Sequence, residues 1–292
     1  MRLARDHRVR ATAVYAHRVR KRRREPVSAG ARPPDSLQHR FSREELAPVP
    51  EGWQVGPPAY VGIGPGSTGT SWWHQLLLEH PHVTENRLRT KELNYFMYFS
   101  FRTPEAEELD TYRLAFAAPP GAICGEWSPG YLGNPFALEH LATAAPEAKV
   151  LTILRDPVER VPSAMNRLLA RGRNQRAAMS GAVSSALPVS SLRRARALFA
   201  PTRLLVLQHE RCRIEPAAEI ARTYRFLGID DTFLPPGLGN RVNSLPHQVG
   251  ALEAAERARL VDFFAADVAE LVTLFPEIDL SLWPDFTSIE NR

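Results

Sequence analysis

The chain predicts an α/β protein built on a central parallel sheet. Three short apolar runs, "AYVGIG" (59–64), "KVLTILRD" (149–156) and "RLLVLQHE" (203–210), read as buried strands. Amphipathic stretches with helical spacing stand after each of them, and glycine or proline marks the junctions. Strands alternating with helices are the pattern of a parallel sheet covered on both faces.

The elements follow in order. "AYVGIG" ends in glycine, and "TSWWHQLLLEHP" (70–81) continues as a helix that Pro81 stops. "AICGEWS" (122–128) reads as a second strand, and "LEHLATAAP" (138–146) as a helix. "KVLTILRD" has a continuously apolar centre; "PVERVPSAMNRLLARGR" (157–173) follows as a helix with Pro157 in its first turn. "RLLVLQHE" leads to the amphipathic helix "EPAAEIARTYRFLGI" (215–229), ended by Gly228. Residues 174–202 are rich in Ala and Ser with weak periodicity, which predicts a mobile loop and one short helix. A long helical segment spans 252–276, and Leu282, Trp283 and Phe286 are expected to pack back on the domain.

Composition bounds the function. The 292 residues are 44% hydrophobic, enough for a buried core. The net charge of +5 is unevenly placed: residues 1–40 carry 12 Lys or Arg against 3 acids, the rest 25 against 29. Residues 1–48 therefore read as a basic, disordered or loosely helical arm, dispensable for folding up to about Leu46; residues 49–292 read as the domain. The domain's mild acidity gives no support to a nucleic-acid role, although the arm's charge suits an anionic surface. Two cysteines provide no disulfide framework, so a reduced, cytoplasmic setting is expected. Neither an apolar run of membrane-spanning length nor a secretory signal pattern is visible. His74, His80 and His82 lack the spacing of a metal set, so no metal is expected.

The chemistry concentrates in "GPGSTGTS" (64–71). Gly64 and Gly69 have the spacing of a Walker A phosphate loop and Ser71 fills its last position, but Thr70 stands where that loop has lysine. Strand, glycine-rich turn and helix start still present backbone N–H groups and a helix dipole to an anion. Ser67, Thr68, Thr70 and Ser71 add hydroxyl donors. An ordinary glycine-rich turn remains the alternative for this stretch taken alone.

Taken with "KELNYF" (91–96), "GEWSPGYL" (125–132), "LRDPVERVPSAMNR" (154–167), "LLVLQHE" and "YRFLGID", the loop resembles that of the sulfotransferase family, in particular the branch of heparan sulfate and bacterial sulfotransferases. The resemblance runs from about Ala59 to Phe286 and implies a P-loop-like three-layer α/β domain. It implies 3′-phosphoadenylyl sulfate (PAPS) as donor, its 5′-phosphosulfate cradled by Ser67, Thr68, Gly69, Thr70 and Ser71. Arg155 and Ser163 match the family's 3′-phosphate motif, a guanidinium fork and a hydroxyl that suit a dianion. Arg155 with Asp156 reads alternatively as a strand-end ion pair. Arg241 and Asn243 match a late loop that closes over the nucleotide, or are plain loop residues.

Glu92 matches the family's general base and Lys91 a neighbouring basic position; a surface pair of Glu92 with Lys91 or Arg89 is the alternative. Three positions depart from the pattern. Ser67 stands where the family has Lys or Arg, Asn94 where the branch often has His, and Trp127 where the glycan enzymes have Lys. Lys91 is the leading candidate for replacement charge. Trp127 and Tyr131 read either as an apolar wall for the acceptor or as core. Of Trp72 and Trp73, one is expected in the core and the other beside the ligand. The implied activity is sulfuryl transfer to a hydroxyl of a small-molecule, lipid or glycan acceptor. A catalytically weakened nucleotide-binding relative and a P-loop kinase are the rival readings.

Overall fold

The computed structural model describes residues 37–240 and 249–289. In chain order the strands and α-helices are β1 (Gln54–Val55), β2 (Tyr60–Gly64), α1 (Thr70–Glu79), β3 (Val83–Thr84), α2 (Ala106–Leu114), β4 (Ala117–Ala118) and β5 (Ile123–Trp127). Then come α3 (Pro135–Ala144), β6 (Lys149–Leu154), α4 (Pro157–Ala170), α5 (Gln175–Ser184), α6 (Val189–Leu198), β7 (Leu204–Gln208), α7 (His209–Ile214), α8 (Pro216–Leu227) and α9 (Ala254–Leu274). Five strands form one parallel sheet in the order β3-β5-β2-β6-β7, and β1 pairs with β4 in a separate antiparallel ribbon.

Side chains alternate across the sheet, as the pleat requires. Val150 and Leu154 of β6 face one cluster, with Val61, Ile63 and Val206 and with residues of α3, α4, α6 and α9. Leu151 and Ile153 face the other, with Tyr60, Leu205 and Leu207 and with residues of α1 and α8. Both faces are buried, which is why the strands read as continuous apolar runs. The result is the three-layer α/β fold that the sequence predicts.

The strand order explains where a ligand can sit. From β2 the chain passes outward to β3, returns as β5 beside β2, and then crosses to β6 on the other side. The crevice at the carboxyl ends of these central strands is the usual binding place in open α/β sheets. Gly62 of β2 is required by packing: a Cβ there would lie 2.0 Å from the Trp127 ring.

Three expectations need correction. Residues 174–202 are not a loop with one short helix but two helices, α5 and α6. Helix α5 starts at Asn174, whose side chain accepts from the N–H of Ala177, and Ala178 and Ala182 are fully buried. Small residues carry little hydrophobic signal, so the periodicity was faint in the sequence. The helix expected from 138 starts earlier, at Pro135, capped by Asn134 accepting from the N–H groups of Phe136 and Ala137 at 3.1 Å. The arm boundary at 48 is also misplaced. Leu37, Phe41 and Leu46 join the main core, and the Leu37 N–H donates to Glu92 O at 2.9 Å. Three apolar residues spaced through a polar segment show no helical or strand period, so their burial was not legible. Residues 1–36 lie outside the described residues.

Candidate active site

The glycine-rich loop leaves the end of β2 and opens α1. Gly64, Ser67 and Gly69 adopt positive φ values of 113°, 66° and 90°. Glycine is the natural residue for such geometry, and Ser67 is the exception. Thr68 is fully buried and its hydroxyl donates to Pro65 O at 2.9 Å, so it braces the loop from inside. Gly66, Ser67, Gly69, Thr70 and Ser71 line a cleft of about 1620 Å³. A single drug-sized pocket occupies some 300–1,000 Å³, so this one has room for a nucleotide and a second molecule.

Guanidinium groups converge on the loop. Arg155, at the end of β6, donates to Ser67 O at 3.5 Å. Arg160 Nε donates to Gly66 O at 2.8 Å; its side chain is buried, and burial with Arg167 and Arg155 nearby pushes its pKa down to about 9. Arg167 Nε donates to Ser67 Oγ at 2.9 Å. Clustered cations are unfavourable unless an anion joins them. Ser163 lies on α4 and lines the same cleft as Arg155. The sequence therefore brings the loop and the Arg155–Ser163 pair into one place.

The base of α4 is held from below. Asp156 Oδ1 accepts from the N–H of Val158 at 2.8 Å and of Glu159 at 3.3 Å, so the residue is a helix cap rather than a partner of Arg155. Burial raises its pKa to about 6. Glu210 accepts from the Asp156 N–H at 3.1 Å and from Trp283 Nε1 at 2.9 Å, tying the C-terminal tail to this corner. His209 Nδ1 meets Thr68 O at 3.0 Å; burial and then Arg155 lower its pKa to about 4, so it is neutral and donates.

Lys91 and Glu92 stand opposite. Lys91 Nζ donates to Thr70 Oγ1 and Ser71 Oγ, both at 3.2 Å, and lies 3.3 Å from Glu92 Oε1. The Lys91–Glu92 pair thus exists, but it is set inside the site, and Glu92 also lines the cleft. Asn94 lines the cleft too, and its N–H donates to Ser128 Oγ at 2.9 Å.

Glu126 is the residue that sequence reasoning missed. It is fully buried and accepts from Leu93 N–H (3.1 Å), Tyr112 OH (2.8 Å), Tyr131 OH (3.1 Å) and Ser128 Oγ (2.5 Å). Burial outweighs these donors and raises its pKa to about 7. It fixes the 91–94 segment to the end of β5. A lone glutamate in "GEWSPGYL" carries no signal of this; only an apolar flank on both sides hinted at burial.

Trp127 and Tyr131 are core residues. Both are fully buried, and neither lines the cleft. Trp73 is buried as well, whereas Trp72 reaches the cleft, and Arg213 lies over its ring at 5.2 Å. Arg241 and Asn243 lie outside the described residues. Among the described residues no group of three or more His, Cys, Asp or Glu is placed to hold a metal ion, and no helix is long and apolar enough to cross a membrane.

A parallel sheet, a glycine-rich loop at its switch point and three converging guanidiniums make an α/β protein with a cationic cleft. Comparison with known proteins narrows the class. A model described as "Sulfotransferase family" matches residues 125–233. The human bifunctional heparan sulfate N-deacetylase/N-sulfotransferase 3 is 25% identical over 195 residues, covering 59% of this chain and 22% of its own. The membrane-associated sulfotransferase kil1 of Dictyostelium discoideum is 30% identical over 105 residues, covering 35% of this chain and 21% of its own. The chain thus spans about a fifth of the length of these relatives. A crystal structure of a sulfotransferase from Alicyclobacillus acidocaldarius shares the fold, with a TM-score of 0.61 at 24% identity over 79% of this chain and 100% of that one. Over residues 125–233 the chain is similar to the sulfotransferase family, and its fold is that of a known sulfotransferase structure.

Proposed function

We propose that the chain transfers a sulfuryl group from PAPS to a hydroxyl of a small-molecule, lipid or glycan acceptor. The observation that carries this reading is the convergence of two anion subsites in one cleft: loop 66–71 on one side, Arg155 and Ser163 on the other. PAPS has two anionic ends, and this pairing suits it. The backbone N–H groups at the start of α1 and the hydroxyls of Thr70 and Ser71 would hold the 5′-phosphosulfate. Arg155 and Ser163 would hold the 3′-phosphate.

In the transfer, the acceptor oxygen bonds to sulfur as the bond from sulfur to the 5′-phosphate oxygen breaks. The leaving electron pair stays on that oxygen, and Glu92 takes the acceptor's proton. Lys91 holds the Glu92 carboxylate in place and keeps the Thr70 and Ser71 hydroxyls oriented. Its ammonium also stands beside the serine hydroxyl to which a P-loop kinase would bind Mg²⁺, which speaks against the kinase reading. Two buried free thiols, Cys124 and Cys212, accord with a reducing, cytoplasmic setting. Ser67 in place of the family's cation keeps a second reading open, a nucleotide-binding relative with weakened catalysis.

Calorimetry tests the donor. Adenosine 3′,5′-bisphosphate should bind, and ATP should not compete with it. Arg155→Ala should weaken the bisphosphate by about 1.5–3 kcal/mol, the worth of a hydrogen bond to a charged group. Adenosine 5′-phosphate should bind the variant as it binds the wild type. Equal losses for both nucleotides would mean that Arg155 acts through the fold, and the 3′-phosphate subsite would be withdrawn.

A further inference from the structure

The loop position that lacks a cation still receives one from another element. Ser67 cannot carry charge, but Arg167 of α4 reaches its hydroxyl, with Nε donating at 2.9 Å. Space for this approach is built in. A Cβ on Gly66 would lie 3.3 Å from both Cζ and Nη2 of Arg167, so any side chain there would press on the guanidinium. Ser67 sits at φ 66°, a conformation unusual for serine, and its hydroxyl is the acceptor. Among the described residues Arg167 has no carboxylate at ion-pair distance; Glu92 acts on it only at longer range. Arg167 lines the cleft together with Ser67, Ser71 and Glu92. A guanidinium that leaves solvent to meet only a neutral hydroxyl is poorly compensated, and an anion seated on the loop would complete its environment.

We propose that Arg167 delivers, from helix α4, the positive charge that residue 67 cannot supply to the 5′-phosphate oxygen of the donor. The proposal rests on the PAPS reading above. In sulfuryl transfer the bond between sulfur and that oxygen breaks, the electron pair stays on the oxygen, and the sulfur bonds to the acceptor oxygen, whose proton passes to Glu92. Negative charge therefore grows on the 5′-phosphate oxygen, and a fixed cation there favours the transition state over the ground state. Lys91 occupies the other side of the loop, at Thr70 and Ser71, so the two cations have separate places. Moving the cation from loop to helix keeps its charge at the same oxygen.

The product carries the charge that the transition state is developing, so binding alone can test the proposal. The measurements are titrations of the full chain with adenosine 3′,5′-bisphosphate, PAPS and adenosine 3′-phosphate, which lacks the 5′ group. Arg167→Gln should weaken the bisphosphate by about tenfold or more, the scale of a lost charged hydrogen bond. PAPS should lose less, because its bridging oxygen carries less charge. Adenosine 3′-phosphate should change by less than about twofold. Arg167→Lys should fall between wild type and Arg167→Gln. Adding Ser67→Lys to Arg167→Gln should restore bisphosphate binding, because the cation then arrives from the loop. Equal losses for adenosine 3′-phosphate and the bisphosphate, or no recovery in the double variant at unchanged melting temperature, would show that Arg167 only braces the loop. Wild type that binds none of the three would overturn the donor reading itself, and the proposal with it.

Discussion

Glu126 fixes the segment 91–94 to the end of β5. Its carboxylate takes four donors at the end of β5, and one of them, the Leu93 N–H, belongs to the strip that carries Lys91 and Glu92. Burial raises its pKa from 4.5 to about 7. A carboxyl whose folded pKa is raised contributes stability below its unfolded pKa and loses it as pH rises through the folded value. His209 and His74, with pKa values lowered to about 4 and about 3, act in the opposite sense, but only below their unfolded value near 6.5. The Glu126 contribution is therefore lost between about pH 4.5 and 7, a window in which the two histidines add stability as pH rises. The melting temperature of the wild type should therefore fall relative to that of Glu126→Gln, whose amide oxygen can still accept from Leu93 and Ser128, as pH rises from about 4.5 to about 7. An identical slope in the variant would remove Glu126 from this role. The same residue shows where sequence reading stops: "GEWSPGYL" drew attention to Trp127, which packs over Gly62, and not to the glutamate beside it. Burial of a charge depends on donors from three separate segments, and none of them is visible in a local window.

At the scale of elements, α4 is the working helix. It carries Arg160, Ser163 and Arg167, and its first turn is held by Asp156 and Pro157. Pro157 was legible as a first-turn residue, whereas Asp156, read in the sequence as a strand-end partner of Arg155, is the cap. The loop and α1 were legible as well. What stayed hidden was the pairing of elements. The sequence assigned no place to Arg160 and Arg167, and only the contact of α4 with the loop turns them inward. Asp156→Ala should cost about 0.5–2 kcal/mol in urea unfolding, as for other helix caps. The loss should be nearer the low end above pH 6, because Asp156 Oδ2 is buried without a partner and its removal relieves that burden. Unchanged stability across this range would show that Pro157 alone fixes the helix start.

At the scale of the whole molecule, the packed body begins before residue 49. Phe41 is 1% exposed and its ring lies 4.7 Å from that of Tyr95, next to the segment of Lys91 and Glu92. Phe41→Ala should destabilise the fold by about 3–5 kcal/mol, the usual cost of deleting a buried phenyl ring. A loss below about 1 kcal/mol in chemical denaturation would return this segment to the status of a dispensable arm. The proposed reaction rests on the sheet order, the loop at its switch point and the cleft between α4, α6 and the 91–94 segment. The most direct test incubates the full chain with PAPS and a mixed metabolite extract and follows the mass gain of one sulfonate group. The account predicts at least one sulfonated product together with adenosine 3′,5′-bisphosphate, and loss of that product in Glu92→Gln. A chain that binds the bisphosphate yet sulfonates nothing in the extract would contradict sulfuryl transfer and leave a nucleotide-binding protein on a sulfotransferase fold.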